Sequence, residues 1–182
     1  MITDEQYILG ALRKGDENEF ENLFRQYYDE LCSYLNCFVN DHDEVEDLVQ
    51  EVFANLWKQR ENLPEIRSLK GYLYSSVKNK LLDYHKHLSV RIRAADRIKE
   101  LSSIVNKDTG RNYYDEKEIK ELLDNAISKL PPRRREVFVL VKMNGLSHQE
   151  TADIMGINKK TIERQLSIAI KTLRKILTPF LK

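Results

Sequence analysis

Six carboxylates, Asp41, Asp43, Glu44, Glu46, Asp47 and Glu51, crowd into the stretch NDHDEVEDLVQEVFANLW. Side chains so gathered can hold a metal ion, move protons, or present a negative field to a cationic partner. The first two uses lack support. The run DHDE at 41–44 imitates a metal site, but its residues share one helix start and no second cluster completes them. The histidines are His42, His85, His87 and His148. His85 and His87, two apart, point to different sides of a helix and make poor joint ligands. No glycine-rich phosphate loop or nucleophile elbow is present. Cys32 and Cys37 are five apart, on different faces of a helix, and read as small core or boundary residues in a reducing compartment. The expectation is therefore no catalysis, no metal and no cofactor.

A second concentration of chemistry lies near the other end, in LSHQETADIMGINKKTIERQLSIAIKTLRKIL. Ser147 and Glu150 have capping-box spacing, so a helix should begin there. Ala152 is small enough for two helices to cross closely, and Gly156 suits a tight turn with positive φ. Asn158 can cap the next helix, and Ile162 returns to the core. A small residue, then Gly four on and a β-branched residue six beyond it, is the spacing of a helix-turn-helix. The second helix of that motif enters the major groove with its N-terminal residues at base edges. Here these are Asn158, Lys159, Lys160, Thr161, Glu163, Arg164 and Ser167, with Lys171, Arg174 and Lys175 further along. Glu163 repels phosphate and can accept from cytosine, which argues for sequence reading. Arg133, Arg134 and Arg135 are expected to meet phosphates.

The two concentrations have opposite sign. Residues 1–53 carry a net charge of −11, residues 54–87 of +4, residues 88–117 of +2 and residues 118–182 of +6, although the whole chain is only +1. Such alternation suggests at least two kinds of partner.

Helices must position these groups. Six Gly and four Pro in 182 residues leave few turns. Asp16 and Glu19 read as a capped start, after which Phe20, Leu23, Phe24, Tyr27, Leu31, Tyr34 and Leu35 recur at threes and fours. Val45, Leu48, Val49, Val52, Phe53 and Leu56 form one stripe, and the acids lie away from its centre. After Pro64 a helix runs from about Ser68 through LKGYLYSSVKNKLLDYHKH. Residues 88–117 lose the periodicity and read as a linker that can start as helix. Periodicity returns from Glu118, and the Pro131-Pro132 pair stops one helix and opens the next. No run approaches the roughly 20 apolar residues of a membrane span. The N-terminus lacks the basic start and apolar core of a signal peptide, so a cytoplasmic protein is expected.

Three stretches in fixed order, DEVEDLVQEVFANLW, GYLYSSVKNKLLDYHK and LPPRRREVFVLVKMNGLSHQETADIMGINKKTIERQL, resemble the extracytoplasmic-function class of bacterial RNA polymerase sigma factors. The similarity runs from about residue 16 to 177, apart from the linker. It implies an all-α chain of two small helical domains joined by a flexible linker. Domain 1–87 would bind the polymerase clamp and the minus-10 promoter element. Residues 88–117 would link it to domain 118–182, which would place its helix-turn-helix on the minus-35 element and touch the polymerase flap. On this resemblance Asp43, Glu46, Asp47, Gln50 and Glu51 match the surface that docks on a basic coiled coil of the largest polymerase subunit, while Phe53 and Trp57 are core. Tyr72, Lys78, Asn79, Lys80 and Tyr84 match the minus-10 region, with Tyr72 open to a core role, Asp83 structural and Lys86 near the strand. The loop RENLPEIRS would hold an extruded base. The implied partners are core RNA polymerase, promoter DNA and an anti-sigma factor, without cofactor or membrane insertion. An autonomous helix-turn-helix regulator is the alternative. It would share the motif but would not need the acidic helix and the Asn-bearing basic helix together.

Overall fold

Several helices start where a side chain takes up the first free backbone amides. In the computed structural model, which describes residues 4–95 and 116–180, Asp16 accepts from the amides of Asn18 and Glu19, and Asp41 from those of Asp43 and Glu44. Caps of this kind stabilise a helix by about 1 kcal/mol. The described residues form helices α1 (Asp4–Arg13), α2 (Glu17–Asn36), α3 (His42–Lys58), α4 (Leu69–Ala95), α5 (Glu116–Ser128), α6 (Pro132–Phe138), α7 (His148–Met155) and α8 (Lys159–Leu177). There is no strand among them. A π-helical turn, Val139–Met143, extends α6.

The apolar stripe read on α3 is the one that is buried: Val45, Leu48, Val49, Val52, Phe53 and Leu56 all face the core. Phe53 meets Phe24 at 4.8 Å and Phe20 edge-on at 6.2 Å, arrangements that suit the ring quadrupoles. Trp57 packs on Phe20 and carries the Arg60 guanidinium 4.5 Å over its ring. Both aromatics therefore serve packing. Cys32 is buried and Cys37 half-buried, and both are free thiols. Burial pushes the Cys32 thiol up to about 11, which makes it a poor nucleophile.

Helix α1 had no counterpart in the periodicity read from the sequence. It buries Leu9 and Leu12, and the Glu5 carboxylate accepts from the Leu69 amide at the start of α4. Helix α4 continues to Ala95, inside the stretch read as linker, and α5 starts at Glu116. The rest of that stretch, residues 96–115, lies outside the described residues.

The helices before and after this segment share one apolar cluster. Tyr34, Leu35, Tyr74, Val77 and Leu81 belong to it, and so do Leu130, Val139, Leu140, Leu146 and Ile154. A smaller cluster of Val137, Ala152, Ile162 and Leu166 lies among α6, α7 and α8. The buried apolar positions are what hold the later helices in a fixed relation.

Candidate functional site

The helix-turn-helix of α7 and α8 is built by a few residue choices at the helix ends. Ser147 accepts from the Glu150 amide at 3.1 Å, and Glu150 returns the bond to the Ser147 amide at 2.9 Å. Gly156 closes α7 in the left-handed region at φ 63, where a β-carbon would add strain. Asn158 accepts from the Thr161 amide at 2.8 Å and from its hydroxyl at 2.9 Å, opening α8. Ala152 and Ile162, 2% and 0% exposed, fill the crossing. On the outer side of α8, Lys159, Lys160, Glu163, Arg164, Ser167 and Lys171 are exposed and Thr161 is half-buried. The residues expected at base edges therefore share one accessible surface. Glu163 is not alone there: His148 Nδ1, at the start of α7, stands 3.8 Å from its carboxylate.

The three arginines that open α6 divide. Arg133 is exposed and Arg134 donates to Gln165 on α8 at 3.2 Å. Arg135 corrects the expectation of a phosphate contact. Its guanidinium turns inward and donates to the carbonyls of Cys37 at 3.0 Å, of Leu130 at 3.3 Å and of Ser128. A fork of N–H donors serves orphan carbonyls at helix ends well.

On α3 the acids line the side opposite the core. Asp43, Asp47, Gln50 and Glu51 are exposed and Glu46 is half-buried. Two have internal partners: His42 stands 3.2 Å from Glu46, and Lys80 of α4 pairs with Glu51. Surface pairs of this kind contribute about 1 kcal/mol or less, so they give way readily to a stronger partner.

The α4 set splits around the helix axis. At about 100° per residue, Asn79 lies beside Tyr72, while Lys80 and Tyr84 lie to one flank and Lys78 to the other. Asn79 is exposed, Lys80 is half-buried, and Tyr72 and Tyr84 pack partly on the core. Asp83 is exposed and accepts from Lys86 at 2.9 Å, a bond that holds its carboxyl below the usual range. Lys78 instead reaches the helix-turn-helix side. Its ammonium lies 2.9 Å from Glu136 of α6, with the two side chains only 15% and 16% exposed.

Residues that sequence reasoning did not single out for function add to this contact between the helices before and after residues 96–115. Tyr34 donates to Glu136 at 3.3 Å, and Ser68 donates to Glu150 at 2.7 Å. Glu150 thus caps α7 with one oxygen and grips the first region with the other. Burial raises its pKa, but the Ser68 hydroxyl, the Ser147 amide and hydroxyl, and the Lys70 charge outweigh it, so the carboxyl ionises below its usual 4.5. A depressed carboxylate stabilises the fold above its unfolded value, and that contribution is lost as pH falls through the folded one. The melting-temperature advantage of the parent over Glu150→Gln should therefore be full at neutral pH and shrink below 4.5. Thermal melts at pH 7 and about pH 3.5 check this.

The family models for sigma-70 region 2 and sigma-70 region 4 match residues 23–90 and 120–173. Their boundaries enclose α3 with most of α4, and the helix-turn-helix. The RNA polymerase sigma factor SigZ of Bacillus subtilis is 27% identical over 143 residues, covering 76% of this chain and 75% of the relative. The ECF RNA polymerase sigma factor SigM of Bacillus subtilis is 23% identical over 154 residues, covering 85% and 92%. In fold, the chain is similar to the sigma factor RpoE from Bartonella quintana, solved in complex with the anti-sigma factor NepR. The TM-score is 0.69 at 21% identity, with 88% of this chain and 97% of that chain covered. A region-2 helical unit followed by a region-4 helix-turn-helix defines a sigma factor of the sigma-70 type. The chain belongs to the extracytoplasmic-function class of these factors. Among the described residues, no helix is long and apolar enough to cross a membrane.

Proposed function

We propose that this chain directs core RNA polymerase to a promoter by dividing the work among three surfaces. The observation that carries the reading is that the acidic face of α3 and the recognition face of α8 are exposed together, on different surfaces and with opposite charge. The α3 carboxylates suit a basic polymerase surface, where complementary charge speeds encounter and fixes orientation. The outer face of α8 suits the major groove of the upstream element. On α4, Asn79 with its neighbours Tyr72, Lys80 and Tyr84 suits the melted downstream strand. Aromatic faces stack on unpaired bases, an amide reads their edges, and lysines neutralise the backbone. Lys78 joins that group once the two regions separate. Residues 1–87 and 118–182 form the two working domains, and an anti-sigma factor is the natural inhibitor. The protein works in the cytoplasm, and nucleotide chemistry stays with the polymerase, so this chain needs no cofactor. An autonomous regulator would leave the acidic face of α3 without a task.

In vitro transcription with core polymerase and a library of promoter sequences tests this reading. The expected result is chain-dependent initiation from templates that share two short elements. Equal output with and without the chain would refute it.

A further inference from the structure

Glu136 occupies an unusual position. Its carboxylate is held by two donors from the other region, the Lys78 ammonium at 2.9 Å and the Tyr34 hydroxyl at 3.3 Å. Seven other ion pairs among the described residues each have at least one partner 35% or more exposed; here both stay at 15% and 16%. Tyr34 is fully buried, and burial followed by the Glu136 charge keeps its phenol protonated as a donor. A charge pair so far removed from water is costly to form, and removing one partner strands the other. Around the pair, the contacts from Arg135 to the Cys37 carbonyl and from Ser68 to Glu150 join the same two regions.

We propose that Glu136 is an internal stand-in for a nucleic-acid phosphate: it holds Lys78 in the closed chain and yields it to the DNA strand when the regions part. The proposal rests on the reading of Lys78 as a strand contact. A carboxylate and a phosphate diester offer a lysine the same chemistry, an anionic oxygen that accepts from the ammonium. Only one of them can hold Lys78 at a time. The exposed groups of α4 and α8 stay accessible while the chain is closed, so the contact withholds a single cation and not the whole surface. Free chain would then bind single strands weakly, and the exchange would be favoured only where polymerase or promoter has already drawn the regions apart. A differential interaction of this sort is what allows a ligand to shift a conformational equilibrium.

The test uses the full chain, Glu136→Gln, Lys78→Gln and the double variant. Circular dichroism confirms helix content, small-angle X-ray scattering reports the radius of gyration, and fluorescence anisotropy follows a labelled single-stranded DNA of about 20 nucleotides. Glu136→Gln keeps an acceptor for Tyr34 but removes the charge. It is expected to raise the radius of gyration and to tighten single-strand binding about tenfold. The gain should vanish when Lys78→Gln is added, because the two residues act as one pair. If Glu136→Gln leaves affinity unchanged while Lys78→Gln weakens it, competition by Glu136 is overturned and the assignment of Lys78 stands. If neither substitution changes affinity, Lys78 is not a strand contact, and that assignment falls together with the proposal.

Discussion

Reversing charge at Asp47 and Glu51 to lysine is expected to abolish binding to core polymerase. Both side chains are exposed on the side of α3 opposite its buried stripe, so replacing them leaves Val45, Leu48, Val49 and Val52 in place. Helix content and melting should hardly change. The docking energy should change greatly, because four units of charge are altered on one small surface. Like charges brought together at an interface cost several kcal/mol, which corresponds to a loss of affinity of ~100-fold or more. The two positions are not equivalent. Glu51 pairs with Lys80, so its reversal also repels a residue of the basic helix. Asp47→Lys alone is the cleaner probe of docking, and its deficit should deepen as salt is lowered. Titration of labelled chain against core polymerase measures the loss. Upstream-DNA binding by α8 in the same variant should stay at the parent level. Undiminished polymerase binding would remove the acidic face from the mechanism.

Local devices were legible in the sequence because the residues that build them are neighbours. Ser147 with Glu150, Gly156 and Asn158 each act within one turn of helix, so spacing alone was enough to place the start of α7 and the α7–α8 turn. The α3 stripe was legible for the same reason: periodicity states which side is apolar, and the acids take what remains. The junction between regions was not legible. Lys78 and Arg135 each read as cations suited to phosphate, and nothing local says that one meets Glu136 and the other the carbonyls of Cys37, Leu130 and Ser128. Those pairings depend on how Leu81, Leu130, Leu140 and Ile154 bring the regions together, which is a property of three-dimensional packing. Helix α1 escaped notice because it is short: its apolar anchors Ile8, Leu9 and Leu12 span little more than one turn, too few repeats to show a period. The α4 set shows a subtler limit: a matching motif lists Lys78 among its residues but does not say that Glu136 of α6 holds it.

Arg164→Ala separates base reading from backbone attraction on α8. Arg164 is exposed beside Glu163, whose carboxylate stands 3.8 Å from His148. An arginine that reaches a guanine edge forms two parallel bonds, and its loss costs about 1–3 kcal/mol at that base pair while relaxing the preference there. An arginine that touches only phosphate would instead lower affinity on every sequence alike and reduce the salt slope by about one. Lys171, two turns further along α8 and also exposed, is the internal contrast. Lys171→Ala should weaken all sites evenly. The measurement is anisotropy of the chain on a set of duplexes mutated one base pair at a time, repeated at two salt concentrations. The expected result for Arg164→Ala is a loss of ~10- to 100-fold on the preferred duplex and little on duplexes already altered at its base pair. A uniform loss at every position would reassign Arg164 to the phosphate backbone and leave Glu163 and Lys160 as the remaining base readers on that face.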